Sequence, residues 1–376
     1  MIALVLAEPA PWTEALLAAI RQVGPTRVFA PWALPGAHAL LPARVRRFAE
    51  RRTLEGVDAV PAWTVGEAAL AAWARGRTDR QIRARFATRR WVGALARRWL
   101  PPDTRMVVAP ALAARELFSQ APHAVHVLLE DLPSIRELHL ALDRAAADHP
   151  EQAFLRRFRA PARTVARQEA ERVLAEVLVV RNRDAWARAE ARGQVALAFP
   201  RGAAFGAPPA PGPRGDRVLL AGLAAARSGS VAARALLEAL PTLTLLVRGG
   251  EGADPALLQH PRAREATRSE REQLEGVALV IAPALCETGA REIEQAARAG
   301  IPVVATSQAA GLVDLTRAGQ AVAAGDAQGL IAAVQAWLGR RVTPSAAAPG
   351  EETRAFAEAL RAIAAERAAG AVRVRV

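Results

Sequence analysis

The stretch Val277-Ala-Leu-Val-Ile-Ala-Pro-Ala-Leu-Cys-Glu-Thr-Gly-Ala-Arg-Glu-Ile-Glu-Gln-Ala-Ala-Arg-Ala-Gly-Ile-Pro-Val-Val-Ala-Thr306 decides the fold. Val277 to Ile281 is a continuous apolar run bounded by turn residues, the pattern of a strand buried on both faces. A helix then runs to Ala299-Gly300, where glycine ends it, and Pro302-Val-Val-Ala305 is a second buried strand. Strand, helix and strand at this spacing form a parallel βαβ unit.

Working outward, the same rhythm fills the chain. Residues 2–7, Thr26 to Phe29, Met106 to Ala109, Val125 to Leu129 and Val177 to Val180 read as strands. Thr13 to Arg21, with Thr13 as N-cap, Gln168 to Ala175 and Asp184 to Arg192 read as helices. Gly206 to Gly215 holds four Pro and three Gly in ten residues, which supports neither helix nor central strand. After it come strands at Val218 to Ala221 and Leu243 to Val247, and helices at Ser230 to Leu240, Ala327 to Leu338 and Glu351 to Ala368. The expected organisation is α/β. A Rossmann-like domain covers 1–205, a linker 206–215 and a second Rossmann-like domain 216–345, while a helical segment, 346–376, packs back toward the first domain. Two doubly wound parallel sheets facing each other bind ligands beyond their carboxyl strand ends, in the interdomain cleft.

Composition sets the remaining bounds. The 376 residues are 52% hydrophobic and 23% charged, enough for a core and against disorder. Uncharged apolar stretches such as Gly276 to Cys286 are too short for the ~18–20 residues of a membrane span. The start, lacking a basic lead-in, does not read as a signal peptide. One cysteine, Cys286, excludes an internal disulfide and fits a cytoplasmic setting, and all 50 basic residues are Arg. The net +13 is uneven: residues 1–215 carry 32 Arg against 20 acids, residues 216–345 carry 13 against 13. The basic first half is expected to meet something anionic. Nucleic acid is not expected, because no recognition motif accompanies the charge. Residues 80–99 mix Arg with Ile82, Phe86, Trp91 and Trp99, which points to peripheral contact with an anionic membrane surface at its inner face. The arginines interrupt both apolar arcs, so no clean stripe emerges.

The candidate chemistry sits at the turn after Ile281. A helix start presents free N–H groups and the positive dipole end, a ready site for phosphate. Glu287, just before that start, can accept hydrogen bonds from sugar hydroxyls, and Thr288 or Gly289 allows close approach of a ligand to the backbone.

These residues resemble the nucleotide-sugar-dependent retaining glycosyltransferases of family GT4, which have the GT-B fold. Pro283 and Glu287 match the family's Pro-Ser-x-x-Glu-x-Phe-Gly segment and Gly289 is close to its Gly, which implies that Thr288, Gly289 and Ala290 lie against the donor; Ala296, Gly300 and Pro302 to Thr306 match its Ala-x-x-x-Gly-x-Pro-Val-Val-Ala-Thr segment. Ala310-Gly311 to Asp314 and Gly325-Asp326 resemble two further segments. The likeness covers about 177–340 well and the first 176 residues in layout. It implies a hexosyltransferase that moves a sugar from a nucleotide-sugar to a glycan, lipid-linked or protein acceptor in glycoconjugate biosynthesis. No cofactor is implied, and no metal, since an Asp-x-Asp cluster is lacking.

Residue by residue, the family's second Glu falls on Gln295, and its diphosphate-binding Arg and Lys positions fall on Leu223 and Ser228. Arg227, one residue early, with Ser228 or Ser230 at the next helix start and Arg291 beyond Glu287, would then face the diphosphate. The glycine pair after the first strand is replaced by residues 7–12, with Trp12 expected near the acceptor opening. On the acceptor side, Glu130 and Asp131 end the strand Val125 to Leu129, where a carboxylate can orient an acceptor hydroxyl or take its proton. Helix capping is the other account of Asp131. The departures leave two alternatives standing: a catalytically degenerate partner or scaffold of the same fold, and a nucleotide-sugar epimerase. The epimerase would need cleft histidines, which the spacing of His123, His126 and His139 does not supply.

Overall fold

This computed structural model describes residues 1–7, 12–30, 59–61, 73, 78–131, 134–156, 159–200, 217–250, 253–272, 274–285, 291–344 and 350–369. The proposed linker, 206–215, lies outside the described residues. Before it, β1 (Ile2–Val5), β2 (Thr26–Ala30), β3 (Ala59–Pro61), β4 (Met106–Pro110), β5 (Val125–Leu129), β6 (Val177–Val180) and β7 (Val195–Ala198) form one sheet. Its order is β3-β2-β1-β4-β5-β6-β7, and every pairing is parallel. After it, β8 (Arg217–Leu220), β9 (Thr244–Val247), β10 (Ala263–Glu265), β11 (Val277–Ala282), β12 (Val303–Ala305) and β13 (Gly319–Ala321) form a second parallel sheet, ordered β10-β9-β8-β11-β12-β13.

Both sheets reverse direction of growth beside their first strand, between β1 and β4 and between β8 and β11. At such a switch point neighbouring connections leave on opposite faces, so a crevice opens beyond the carboxyl ends. The helices used below are α1 (Thr13–Val23), α2 (Thr78–Ala96), α3 (Arg115–Gln120), α4 (Ile135–Asp148), α5 (Ala162–Leu174), α6 (Arg183–Ala191), α7 (Ser230–Ala239), α8 (Arg268–Glu272), α9 (Arg291–Arg298), α10 (Ala327–Trp337) and α11 (Glu351–Ala368).

Central strands are largely apolar because helices cover both faces. Leu4, Val108 and Val127 pack toward α1 and α11, while Val5, Val107 and Leu128 pack toward α2 and α3. The last helix crosses back onto the first sheet: Phe356, Ala357 and Leu360 of α11 join Leu16 and Ile20 of α1 in one core, and Arg361 Nε donates to the Gln22 carbonyl at 3.1 Å. Trp12 belongs to this core. It is buried against Phe199, ring centroids 4.7 Å apart, rather than standing at an acceptor opening. Thr13 is likewise not the N-cap of α1. Trp12 holds that place, and Thr13 is buried as the first helical residue.

α2 packs through Ala84, Val92 and Ala96. Gly93 lies so close to the Ala113 carbonyl that a Cβ would stand 2.1 Å from its oxygen. Among the described residues no helix is long and apolar enough to cross a membrane.

Candidate functional site

On the first sheet's side, the chain leaves β4 through a turn at Ala111 to Ala114 in which Leu112 has φ +73°. That left-handed conformation costs a non-glycine residue ~1–2 kcal/mol, and side chains of α5 hold it. Glu171, fully buried, accepts from the Leu112 amide at 2.5 Å and the Arg115 amide at 3.1 Å. Arg167 Nε donates to the Leu112 carbonyl at 3.1 Å, and the same guanidinium pairs with Glu116. Burial pushes the Glu171 carboxyl above its ordinary value, against the opposing pull of Arg167 and the two amides.

Glu130 and Asp131 follow β5 and belong to the same buried network. Asp131 receives both ends of the Arg89 guanidinium, at 2.8 and 2.6 Å, and Arg89 also donates to the Ala111 carbonyl at 3.2 Å. Arg89 comes from α2 and is 1% exposed. Glu130 pairs with Arg172, which donates further to Ser134 Oγ at 3.2 Å and Glu169 at 2.8 Å. Burial opposes charge on Arg172, yet Glu130, Glu169 and Glu137 outweigh it and raise its pKa. Asp131 does not cap α4. Ser134 does, accepting from the Glu137 amide, while Gln168 takes the Ile135 amide at 2.8 Å. Thus one face of α5 (Arg167, Gln168, Glu171, Arg172) braces both strand-end turns.

This brace was not foreseen from sequence. A signal exists: α5 carries polar residues at i, i+1, i+4 and i+5 where an apolar face would be expected. The histidines lie apart from it. Both ring nitrogens of His126 are 2.9 Å from carbonyl oxygens, of Leu174 and Ala121, and its ring stacks on Phe118. His139 Nε2 accepts from the Ala160 amide at 3.0 Å.

On the second sheet's side, the loop after β8 and the exit of β11 meet at the switch point. Gly229 has φ +89°, and a Cβ there would stand 2.4 Å from the Pro283 oxygen, so only glycine allows this approach. The Leu285 amide donates to the Arg227 carbonyl at 2.9 Å. Arg227 and Ser228 are therefore fixed beside Pro283, immediately before the Glu287 segment. Ser230 is committed elsewhere: its hydroxyl donates to Asp254 at 2.7 Å, so it does not cap α7 toward a ligand. Arg291, exposed, begins α9, and Gln295, 3% exposed, lies one turn further. Glu287, Thr288, Gly289 and Ala290, with Cys286, lie outside the described residues.

The two units touch along this edge. Leu142, Ala145 and Leu155 of the first pack on Ala226 and Leu285 of the second. The Arg183 amide donates to the Gly311 carbonyl at 3.2 Å, and Ser307 Oγ to Asp184 at 3.3 Å. Beside these contacts a cavity of about 890 Å³ is lined by Leu140, Arg144 and His149 from one unit and Gly229, Pro283 and Gln308 from the other. Among the described candidate residues, Pro283 lies on its wall.

No family model matches the chain, and no curated protein matches it. Solved structures do. Sucrose-phosphate synthase from Thermosynechococcus elongatus is 14% identical, with 98% of this chain and 97% of that one covered, at a TM-score of 0.58. AviGT4, a glycosyltransferase involved in avilamycin A biosynthesis, is 14% identical over 98% of both chains at 0.49. A UDP-glucosyltransferase from Polygonum tinctorium is 10% identical over 97% and 93% at 0.45. Two parallel Rossmann-like sheets, with strand-end loops meeting between them and a solved counterpart over nearly the whole length, establish a two-domain GT-B fold.

Proposed function

We propose that the chain is a glycosyltransferase that moves a hexosyl group from a nucleotide-sugar held by the second unit to a glycan, lipid-linked or protein acceptor held at the first. The observation that supports it is the fixed meeting of the Arg227–Gly229 loop with Pro283–Leu285 at the β8/β11 switch point. In this proposal Arg227, Arg291 and the N-termini of α7 and α9 offset the charge of the leaving diphosphate, an electrostatic role without a metal ion. Glu287 takes the sugar hydroxyls, Thr288 to Ala290 lie against the donor, and Gln295 faces its ribose. The acceptor attacks on the face the diphosphate leaves, with a donor oxygen taking its proton, so stereochemistry is retained.

Of the two roles open to a carboxylate after β5, orienting the acceptor fits the bidentate Arg89 pairing of Asp131 better than proton abstraction. Both of its oxygens already accept from the guanidinium. Glu130, held by Arg172, supports the same loop. The test is turnover and isothermal titration against a panel of nucleotide-sugars. Transfer or hydrolysis that falls at least tenfold in Arg227→Ala supports the proposal. A donor epimerised at the sugar, or no binding and no turnover across the panel, refutes it, the latter in favour of a silent partner of the same fold.

A further inference from the structure

The structure resolves why residues 80–99 show no clean apolar stripe. Arg89 is turned inward to Asp131, and Ala84, Val92 and Ala96 face the core, whereas Arg83, Arg85, Arg90, Arg97, Arg98, Trp91 and Trp99 are exposed. Arg83, Arg90 and Arg97 recur every seven residues, so α2 and the 3₁₀ turn Arg97–Trp99 carry them along one side. From Arg80 to Trp99 there are seven Arg and no acidic residue. Trp91 is 49% exposed and Trp99 57%, and Trp73, also 49% exposed, lies with its ring centroid 5.1 Å from the Arg80 guanidinium carbon. Large rings this exposed beside unbroken positive charge are not explained by folding, which gains from burying indole.

We propose that this face seats the protein on an anionic lipid surface, independently of the transfer activity proposed above. Guanidinium groups complement anionic headgroups, and an indole half out of water has its favoured place at the interface between headgroup and acyl chain. A nucleic acid would also draw the arginines. It has no need of exposed indoles beside the arginines, however, whereas a lipid interface uses both kinds of group.

The experiment is co-sedimentation of the full-length protein with vesicles of phosphatidylcholine containing 30% phosphatidylglycerol, against pure phosphatidylcholine, at low and at 0.5 M salt. Binding is expected with the anionic vesicles at low salt only, since screening shortens the reach of surface charge. Arg83→Gln/Arg90→Gln/Arg97→Gln should lower the partition coefficient about a hundredfold, at roughly fivefold per arginine. Trp91→Ala/Trp99→Ala should lower it at least tenfold and reduce quenching of tryptophan emission by brominated lipid. A control that removes as much charge elsewhere, Arg192→Gln/Arg317→Gln/Arg354→Gln, should stay within threefold of wild type. Circular dichroism confirms that each variant is folded. No binding to anionic vesicles at low salt, equal losses in patch and control variants, or retention on an oligonucleotide with none on vesicles, overturns the proposal.

Discussion

Asp131→Ala is the most informative single change to the first unit. It takes both carboxylate oxygens from an Arg89 guanidinium that is 1% exposed and that also donates to the Ala111 carbonyl at 3.2 Å. Two charge-assisted bonds at 2.8 and 2.6 Å are lost. Removing one member of a buried ion pair costs about 3–5 kcal/mol, mostly because the surviving charge stays desolvated. Arg89→Met/Asp131→Leu removes both charges at similar volume and should cost less than 2 kcal/mol, giving a coupling energy of at least ~2 kcal/mol. The assay is urea unfolding followed by tryptophan emission. Seven of the eight tryptophans precede residue 200, so the signal follows the first unit. A loss below 1 kcal/mol for Asp131→Ala, or a double variant as unstable as the sum of the singles, would refute the buried-pair account.

Asp131→Asn, which keeps the shape, should reduce turnover by raising KM for acceptor more than by lowering kcat; the reverse split would return Asp131 to proton transfer. Arg227→Ala should weaken nucleoside diphosphate binding ten- to a hundredfold in titration calorimetry, with the melting temperature unchanged, because a charge-assisted bond contributes about 1.5–3 kcal/mol. Gly229→Ala should lower the melting temperature of the second unit and weaken donor binding together, since a Cβ at φ +89° would stand 2.4 Å from the Pro283 oxygen. Glu270 anchors α8: it accepts from Thr267 N at 2.8 Å and Arg217 at 3.0 Å and pairs with Arg264. Burial raises its carboxyl, but Arg264 and Thr267 outweigh that and hold it at about 2. A depressed carboxyl contributes stability that is complete above its unfolded pKa near 4.5 and lost as pH falls toward 2. Thermal melts of Glu270→Gln should therefore fall below wild type at pH 6 and converge with it near pH 2.

Central strands could be read directly because a parallel strand covered on both faces leaves an unbroken apolar run, as in Val277 to Ile281. Edge strands were not: β10 reads Ala-Arg-Glu and β13 Gly-Gln-Ala, three residues with no periodicity to detect. The loop carrying Arg227 and the exit at Pro283 were legible as punctuation between runs, and their contact is the switch point expressed in the backbone. Ser230 was misassigned because its partner, Asp254, lies 24 residues away. The Arg89–Asp131 pair spans 42 residues and joins two elements that locally look like a solvated helix and a helix cap. Nothing short of the fold itself pairs them. For the same reason α5 could be read as a helix but not as a brace: Arg167, Glu171 and Arg172 are buried against two strand ends.

The proposed function is tested most directly by diffraction from crystals soaked with a nucleoside diphosphate that binds in titration. Density for the diphosphate between Arg227 and the start of α9, beyond the β8 and β11 strand ends, is the predicted result. A nucleotide seated elsewhere on the molecule, with that crevice filled by the protein's own side chains, would contradict it.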